Sequence, residues 1–307
     1  MDALRNVLAQ LEKEGAALGH FNVADLVQLK AVVAAARGTR LPVLVGASEG
    51  ERDFFGTRQL AAVVKSLRDE SDVSVFLNAD HTHSLAKSIE AAKAGFDSIV
   101  VDFSALPLEK NVSNTKEAVE AIKAINSAIL VEGEIGDIGT GSEIHETAPS
   151  EFKSLSTPEE AGQFVRSTGI DVLAPAVGNM HGMVKSMVQG RTQKRLDIER
   201  IAQIKKAAGV FLTLHGGSGT NDEDLRRAIA AGIDIIHINT ELRVAWRKSL
   251  EGSLAEKPDE VVPYKILRPV VDSVEDVVRS RLRLFHARQA SDNTLLIHDP
   301  RSGSLTA

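Results

Sequence analysis

Short apolar runs rich in branched side chains alternate along this chain with longer stretches of helical period. The runs are Ala17 to Asn22, Pro42 to Ala47, Val73 to Asn78, Ser98 to Phe103, Ile129 to Glu134, Val172 to Ala176, Val210 to Leu214 and Ile233 to Ile238. They are apolar blocks more than strict apolar–polar alternations, the pattern of strands buried on both faces of a parallel sheet. Helical period marks Leu26 to Ala36, Leu85 to Ala94, Thr115 to Ile125, Pro158 to Ser167 and Asp222 to Ala231. Strand and helix in this alternation predict an α/β fold, a (β/α)8 TIM barrel with extra C-terminal helices. An open doubly wound sheet would need a switch point in strand order that the pattern does not supply.

Local signals agree with these boundaries. Ser156-Thr157-Pro158-Glu159-Glu160 offers a capping hydroxyl, an early proline and first-turn acids. Gly95 and Gly232 stand where helices should stop before a strand. The first fifteen residues read as an amphipathic helix without the apolar core of a signal peptide. Beyond Tyr264 one or two further helices are expected, ending near Phe285, and from Ala287 the periodicity fades into a loosely held tail. No break in composition divides the chain, so residues 1–307 are expected to form a single barrel domain. Two loops are unusually long, Ile135 to about Leu155 and Gly178 to about Leu196. Both follow strands, on the barrel face where chemistry is kept.

Composition narrows the chemistry. Of 307 residues, 43% are hydrophobic and 25% charged, as in a soluble globular protein. The net charge of −6 favours neither nucleic acid nor an acidic membrane as partner. No apolar run approaches the roughly 20 residues that cross a bilayer, so a cytoplasmic location is expected. With no cysteine, any metal must be held by His, Asp or Glu.

Histidines stand at three matching places. His81 ends the third strand, His181 follows the sixth, and His215 ends the seventh. Singly, each could be a loop or core histidine. Together they can converge above the barrel and leave a zinc ion an open position. Asp80, next to His81, should point elsewhere and could act as acid or base, or simply cap the helix near Ser84. Gly216-Gly217-Ser218-Gly219 precedes a helix and can receive an anion, as can Asn239-Thr240 at the next helix start. Such turns are often no more than turns. Lys185 could reach a phosphate or lie in solvent. Asp102, Glu132 and Glu134 end the fourth and fifth strands at the barrel mouth, as outer or alternative metal ligands or as ion pairs with interior lysines.

Taken together, these residues resemble the class II fructose-bisphosphate and tagatose-bisphosphate aldolase family from about Gly19 to about Phe285. The matching stretches are Gly19-His20-Phe21-Asn22-Val23, Ala79-Asp80-His81, Val101-Asp102-Phe103-Ser104 with Leu106-Pro107, Glu132-Gly133-Glu134-Ile135-Gly136, Gly178-Asn179-Met180-His181-Gly182, His215-Gly216-Gly217-Ser218-Gly219 and Thr240-Glu241-Leu242-Arg243. The resemblance implies reversible aldol cleavage of fructose 1,6-bisphosphate, or a close relative such as tagatose 1,6-bisphosphate, to dihydroxyacetone phosphate and glyceraldehyde 3-phosphate. It implies Zn2+ on His81, His181 and His215, with Glu134 and Asp102 as carboxylates near the metal. The zinc would be a Lewis acid on the ketone, with no Schiff-base lysine. Asp80 would shuttle the hydroxyl proton, and Glu143 in the long loop would handle the carbanion proton. Gly182, Lys185, Gly216, Ser218 and Thr240 would cradle the ketose phosphate, with Asn22 and Ser48 near the substrate and Arg243 at the far phosphate. A monovalent cation (Na+ or K+) near the phosphate and a homodimer or homotetramer are also implied.

Three positions depart from the family pattern. His237 stands where the family usually has Asn, Asn239 where many members have Asp, and Thr82-His83 where a small residue or Cys often follows the first histidine. His237 and Asn239 therefore count among the candidate substrate contacts. The rival readings are a metal-dependent amidohydrolase-like barrel, on the His81-Thr82-His83 pair, and a barrel that binds sugar phosphate without turnover. The first expects its pair after strand one, and the second has no use for Asp80.

Overall fold

The computed structural model describes residues 3–139, 141–146 and 155–287. Eight strands form the barrel: β1 (Leu18–Asn22), β2 (Val43–Ala47), β3 (Val75–Thr82), β4 (Ser98–Val101), β5 (Leu130–Ile135), β6 (Val172–Pro175), β7 (Phe211–Leu214) and β8 (Ile235–Ile238). All pair in parallel, each with its chain neighbours, and β1 closes on β8 with Leu18 opposite Ile235 and Phe21 opposite Ile238. The eight predicted runs are these eight strands. A closed barrel leaves no sheet edge and needs no switch point.

The two-residue period of the strands sorts side chains into an outer shell and inner layers. Outward residues such as Phe21, Val45, Leu77, Val131 and Ile236 pack beneath the helices in one large cluster. Inside, the lowest layer is apolar: Leu18, Leu44, Phe76, Leu130, Val172 and Ile235. It is plugged by Leu4, Leu8 and Leu11 of the N-terminal helix Leu4–Glu14. Two residues further along four of these strands the interior turns polar, with His20, Asn78, Glu132 and His237 all buried. Two residues beyond that stand Asn22, Asp80 and Glu134. The chemistry is thus stacked on a polar layer resting on an apolar floor.

The helices follow the predicted pattern with additions. Thr157 caps Pro158–Thr168 and makes the reciprocal capping box with Glu160. Gly95 ends Leu85–Ala94 in the left-handed region. The helix predicted from Thr115 begins at Leu108. A pair that periodicity missed, Glu49–Phe55 and Thr57–Asp69, fills the β2–β3 connection. The C-terminal segment is one helix, Pro263–Phe285, that buries Val270, Val274, Val278 and Leu282 at four-residue spacing. The tail expected from Ala287 lies, from residue 288, outside the described residues. No described helix is long and apolar enough to cross a membrane.

Candidate active site

β3 carries a register shift against β4 between Ala79 and Thr82, and His81 there has φ +37°. A bulge adds a residue to one strand and re-aims its side chains. The bulge corrects the expectation that adjacent Asp80 and His81 point apart: Asp80 Oδ1 lies 3.9 Å from His81 Nε2. Positive φ is strained for a residue with a Cβ, at a cost of about 1–3 kcal/mol. Arg52 holds the strained segment. Its buried guanidinium donates to the Asp80 carbonyl and to Thr82 Oγ1, both at 3.0 Å, and to the Ala47 carbonyl. Asp80 caps no helix; Ser84 does that through the Lys87 amide.

His81, His181, His215 and Glu134 offer ligand atoms that all lie within 4.8 Å of one another. Asp102 accepts from His81 Nδ1 at 2.9 Å, and Glu132 accepts from His215 Nε2 at 2.6 Å. A carboxylate on one imidazole nitrogen fixes the tautomer and frees the other nitrogen for a metal. The freed atoms, His81 Nε2 and His215 Nδ1, are 3.0 Å apart. Two nitrogens on one tetrahedral zinc at ligand distances of about 2.0–2.1 Å sit about 3.3 Å apart. His181 Nε2 and Glu134 Oε2 are buried with no hydrogen-bond partner among the described residues. Buried polar atoms are rarely left so, and here both face one point. The residues present therefore fit a divalent metal. Asp102 and Glu132 serve as partners of the ligating histidines, Glu132 being held also by Thr213 at 2.9 Å. Among the described residues no interior lysine pairs with these acids.

The ionisable groups of the cluster are strongly coupled. Burial pushes His81 down, but Asp80, then Asp102 and Glu134, outweigh it and raise the imidazole to about 10. Burial, then the His81 charge, lowers His215 to about 3 and His181 well below the usual value. Burial and the Asp102 charge lift Glu134 to about 8. Carboxylates here surround one positive imidazole and two neutral ones. A divalent cation would neutralise the acids and take all three histidines as neutral ligands.

Beside the cluster, Asn22, Asp80, Ser142, His181, Gly182, Gly216, Ser218, His237, Asn239 and Thr240 line one pocket. Most of the predicted substrate contacts are in that set. Asp80 is 4% exposed, and Asn22 Nδ2 holds its Oδ2 at 2.9 Å. Burial raises its pKa but His81 and His237 outweigh that, so it stays a carboxylate. Ser218 Oγ accepts from the Asn239 amide at 3.2 Å and the Glu241 amide at 3.3 Å, which ties the β7 turn to the next helix start. Gly216 has φ +62°, and a Cβ there would meet the Met180 carbonyl at 2.1 Å, so only glycine allows this approach.

Three predicted substrate contacts and the predicted loop acid lie outside both the metal-ligand cluster and the pocket lining. Ser48 makes a capping box with Glu51. Lys185 is exposed and pairs with Glu146 at 2.5 Å. Arg243 bonds Glu51 at 2.7 Å and donates to the Ser142 carbonyl at 3.0 Å. Glu143 is exposed. Its segment is tied down: Ile144–His145 pairs with Met183–Val184, and the Met183 amide donates to the Glu143 carbonyl at 2.9 Å. The two long loops thus bind each other over the barrel mouth, while residues 140 and 147–154 of the first lie outside the described residues.

Sequence reasoning missed two features. His20 and His237, opposite each other across β1 and β8, stack with ring centroids 3.4 Å apart and planes 6° apart. His237 in turn stacks on His215 at 4.1 Å, and its Nδ1 is 3.4 Å from Asp80 Oδ1. The signal was a histidine two residues before Asn22 on an inward strand position. The second is Lys194, buried among the carbonyls of Met180, Gly182, Gly216 and Ser218. A lysine in a polar loop carries no such mark.

The family profile described as "Fructose-bisphosphate aldolase class-II" matches residues 2–290. A probable fructose-bisphosphate aldolase of Bacillus subtilis (strain 168) is 34% identical over 286 residues, 92% of this chain and 96% of that protein. A 6-phospho-5-dehydro-2-deoxy-D-gluconate aldolase of Shouchella clausii is also 34% identical, over 92% of this chain and 93% of that one. Among solved structures, the YdjI aldolase of Escherichia coli K12 superposes with a TM-score of 0.75 at 28% identity, over 92% of this chain and 96% of that chain. A putative fructose-1,6-biphosphate aldolase of Coccidioides immitis gives 0.77 at 26%, with the same coverage.

Proposed function

The chain belongs to the class-II fructose-bisphosphate aldolase family and is a class II aldolase, and we propose from that premise that it is a zinc enzyme cleaving a ketose 1,6-bisphosphate, either the fructose or the tagatose sugar. The carrying observation is the convergence of His81, His181, His215 and Glu134 beside the buried Asp80 carboxyl group. His81, His181 and His215 would hold the zinc, with Glu134 as a further oxygen ligand and Asp102 and Glu132 holding the histidines in their ligating tautomers. When bound, the zinc supplies Lewis acidity to the substrate's ketone oxygen.

The chain's own groups do the proton work. Asp80 takes the proton from the hydroxyl whose carbon–carbon bond breaks, and returns it in the condensation direction. Asn22 holds the outer oxygen of that carboxylate and so aims the other at the substrate. Glu143 is the acid for the carbon that loses its partner, placed by its neighbour Ser142, which lines the pocket. Gly182, Gly216 and Ser218 in the turns after β6 and β7, with Asn239 and Thr240 at the start of the helix Thr240–Glu256, receive the ketose phosphate, the helix start favouring an anion. Lys185 and Arg243 reach the phosphates by releasing Glu146 and Glu51.

His237 bears on the choice of sugar. It lines the pocket beside Asp80 and offers a buried Nε2 with no partner among the described residues. A donor–acceptor left for the substrate gives discrimination through the cost of leaving it unpaired. The relatives of equal identity differ in named substrate, so identity alone does not choose. A homodimer or homotetramer is supported by exposed apolar residues at the start of the C-terminal helix, Tyr264 at 75%, and in the connection just before it, Val261 at 83%.

The test is aldol cleavage of fructose 1,6-bisphosphate and tagatose 1,6-bisphosphate, read by triose phosphate release, before and after chelation and zinc add-back. Activity lost on chelation and restored by zinc is the expected result, and the rate ratio names the sugar. A zinc-loaded protein that cleaves neither sugar would refute the substrate assignment and direct the search to other aldehydes with dihydroxyacetone phosphate.

A further inference from the structure

Lys194 lies on the loop after β6 and is 4% exposed. Its Nζ is 2.8 Å from the Met180 carbonyl, 2.6 Å from Gly182, 2.8 Å from Gly216 and 2.6 Å from Ser218. All four partners are neutral backbone oxygens. A ring of backbone carbonyls around one point is how proteins strip and hold a bare monovalent cation. Three of the four carbonyls belong to residues that line the substrate pocket. The Lys194 backbone is strapped to the same wall, its amide on the Gly219 carbonyl and its carbonyl under the Asn221 amide.

We infer that Lys194 is a tethered cation that fills a carbonyl cage behind the phosphate pocket, so this aldolase assembles and charges that pocket without binding Na+ or K+. The monovalent ion expected from the family resemblance has no room: Nζ already stands within bonding distance of every oxygen of the cage. The role is one of positioning. The ammonium fixes four peptide units from two loops, at Met180–Gly182 and Gly216–Ser218, and adds a positive charge behind the wall that meets the substrate's anion. Burial lowers the lysine toward about 7, with Glu241 opposing. The four carbonyls also favour the charged form, because a neutral amine would turn a lone pair on one of them. A side chain cannot dissociate, so the cage is filled whatever the salt.

The phosphate side of the inference rests on the aldolase reading above; the cage does not. The wild-type protein should therefore be tested in K+, Na+ and tetramethylammonium chloride at equal ionic strength. Thallium(I) NMR serves as a direct probe of a potassium-like site. The expected result is no thallium bound at this site, with kcat and KM unchanged across the three salts. A bound thallium ion, or activation of several-fold by K+ or Na+, overturns the inference. The thallium reading stands even if neither bisphosphate is a substrate.

The second arm is Lys194→Ala, with dihydroxyacetone phosphate binding and substrate KM as readouts. In tetramethylammonium the affinity for the phosphorylated ligand should fall at least about tenfold. KM should suffer more than kcat, and K+ or NH4+ should restore most of the loss while one thallium ion now binds. A folded variant with unchanged affinity, or one whose loss no monovalent cation repairs, overturns the positioning role.

Discussion

At the scale of single residues, the proposed roles of Asp80 and the histidines separate cleanly. His181 Nε2 has no hydrogen-bond partner among the described residues, so His181→Ala removes the proposed metal ligand without breaking a hydrogen bond of that nitrogen seen there. It should lose both bound zinc and turnover; retained activity would remove His181 from the ligand set. Asp80 approaches His81 at 3.9 Å but is held by Asn22. Asp80→Asn should therefore keep zinc while turnover falls by about 10²–10⁴, the usual worth of a positioned acid or base. Loss of zinc from that variant would make Asp80 a ligand instead. Asp102 accepts from the far nitrogen of His81 and from Ser104, with His83 Nδ1 3.7 Å from the same carboxylate. Asp102→Asn should weaken zinc by about 10–100-fold, read by competition with a chelator, and excess zinc should recover much of the rate.

At the scale of elements, the bulge in β3 decides the geometry, and the helix Glu49–Phe55 supports it. Arg52 of that helix is 2% exposed and reaches the Asp80 carbonyl and Thr82 Oγ1. Glu49 of the same helix accepts from the His83 amide at 2.8 Å. Arg52→Met keeps the aliphatic bulk but leaves those acceptors unpaired, at about 1–3 kcal/mol for each buried group. Metal affinity and turnover should then fall together, although Arg52 touches neither metal nor pocket. Unchanged zinc affinity would show that the bulge holds itself. This helix also shows where the sequence stops being readable. Its buried residues are Glu51 and Arg52, so a search for apolar period finds nothing there. The early turns of Leu108–Ile125 were missed for the same reason, since they bury Asn111, which bonds the Glu134 carbonyl. The strands were legible because their outward faces are apolar without interruption. Asp80, His81 and His215 were legible because they stand at the ends of such strands, and His181 because it lies on a long loop that follows one. Lys194 and the His20–His237 stack were not, because partners far apart in the chain make a buried polar side chain tolerable.

At the scale of the whole molecule, the barrel keeps its floor and its chemistry at opposite ends. Leu4, Leu8 and Leu11 plug the end where the strands begin, and the metal cluster stands where they finish. Leu8 is fully buried, and truncation to Ala should cost about 2–5 kcal/mol as transfer and cavity terms add. In a chain of this size each kcal/mol shifts Tm by about 2–4 °C. Metal removal acts independently, because zinc bound only by the folded state stabilises it by mass action. Stripping zinc from the wild type should lower Tm, and stripping it from Leu8→Ala should lower Tm by a similar further amount. Separate sites without shared partners behave additively. Leu8→Ala should also keep its zinc content and its KM at a temperature where it is folded. A shortfall in zinc, or a chelation step much smaller than in the wild type, would mean that the polar middle layer of His20, Asn78, Glu132 and His237 transmits strain between the two ends. That layer consists of hydrogen-bonded and stacked side chains linking β1, β3, β5, β7 and β8, which makes it a route by which such coupling could travel.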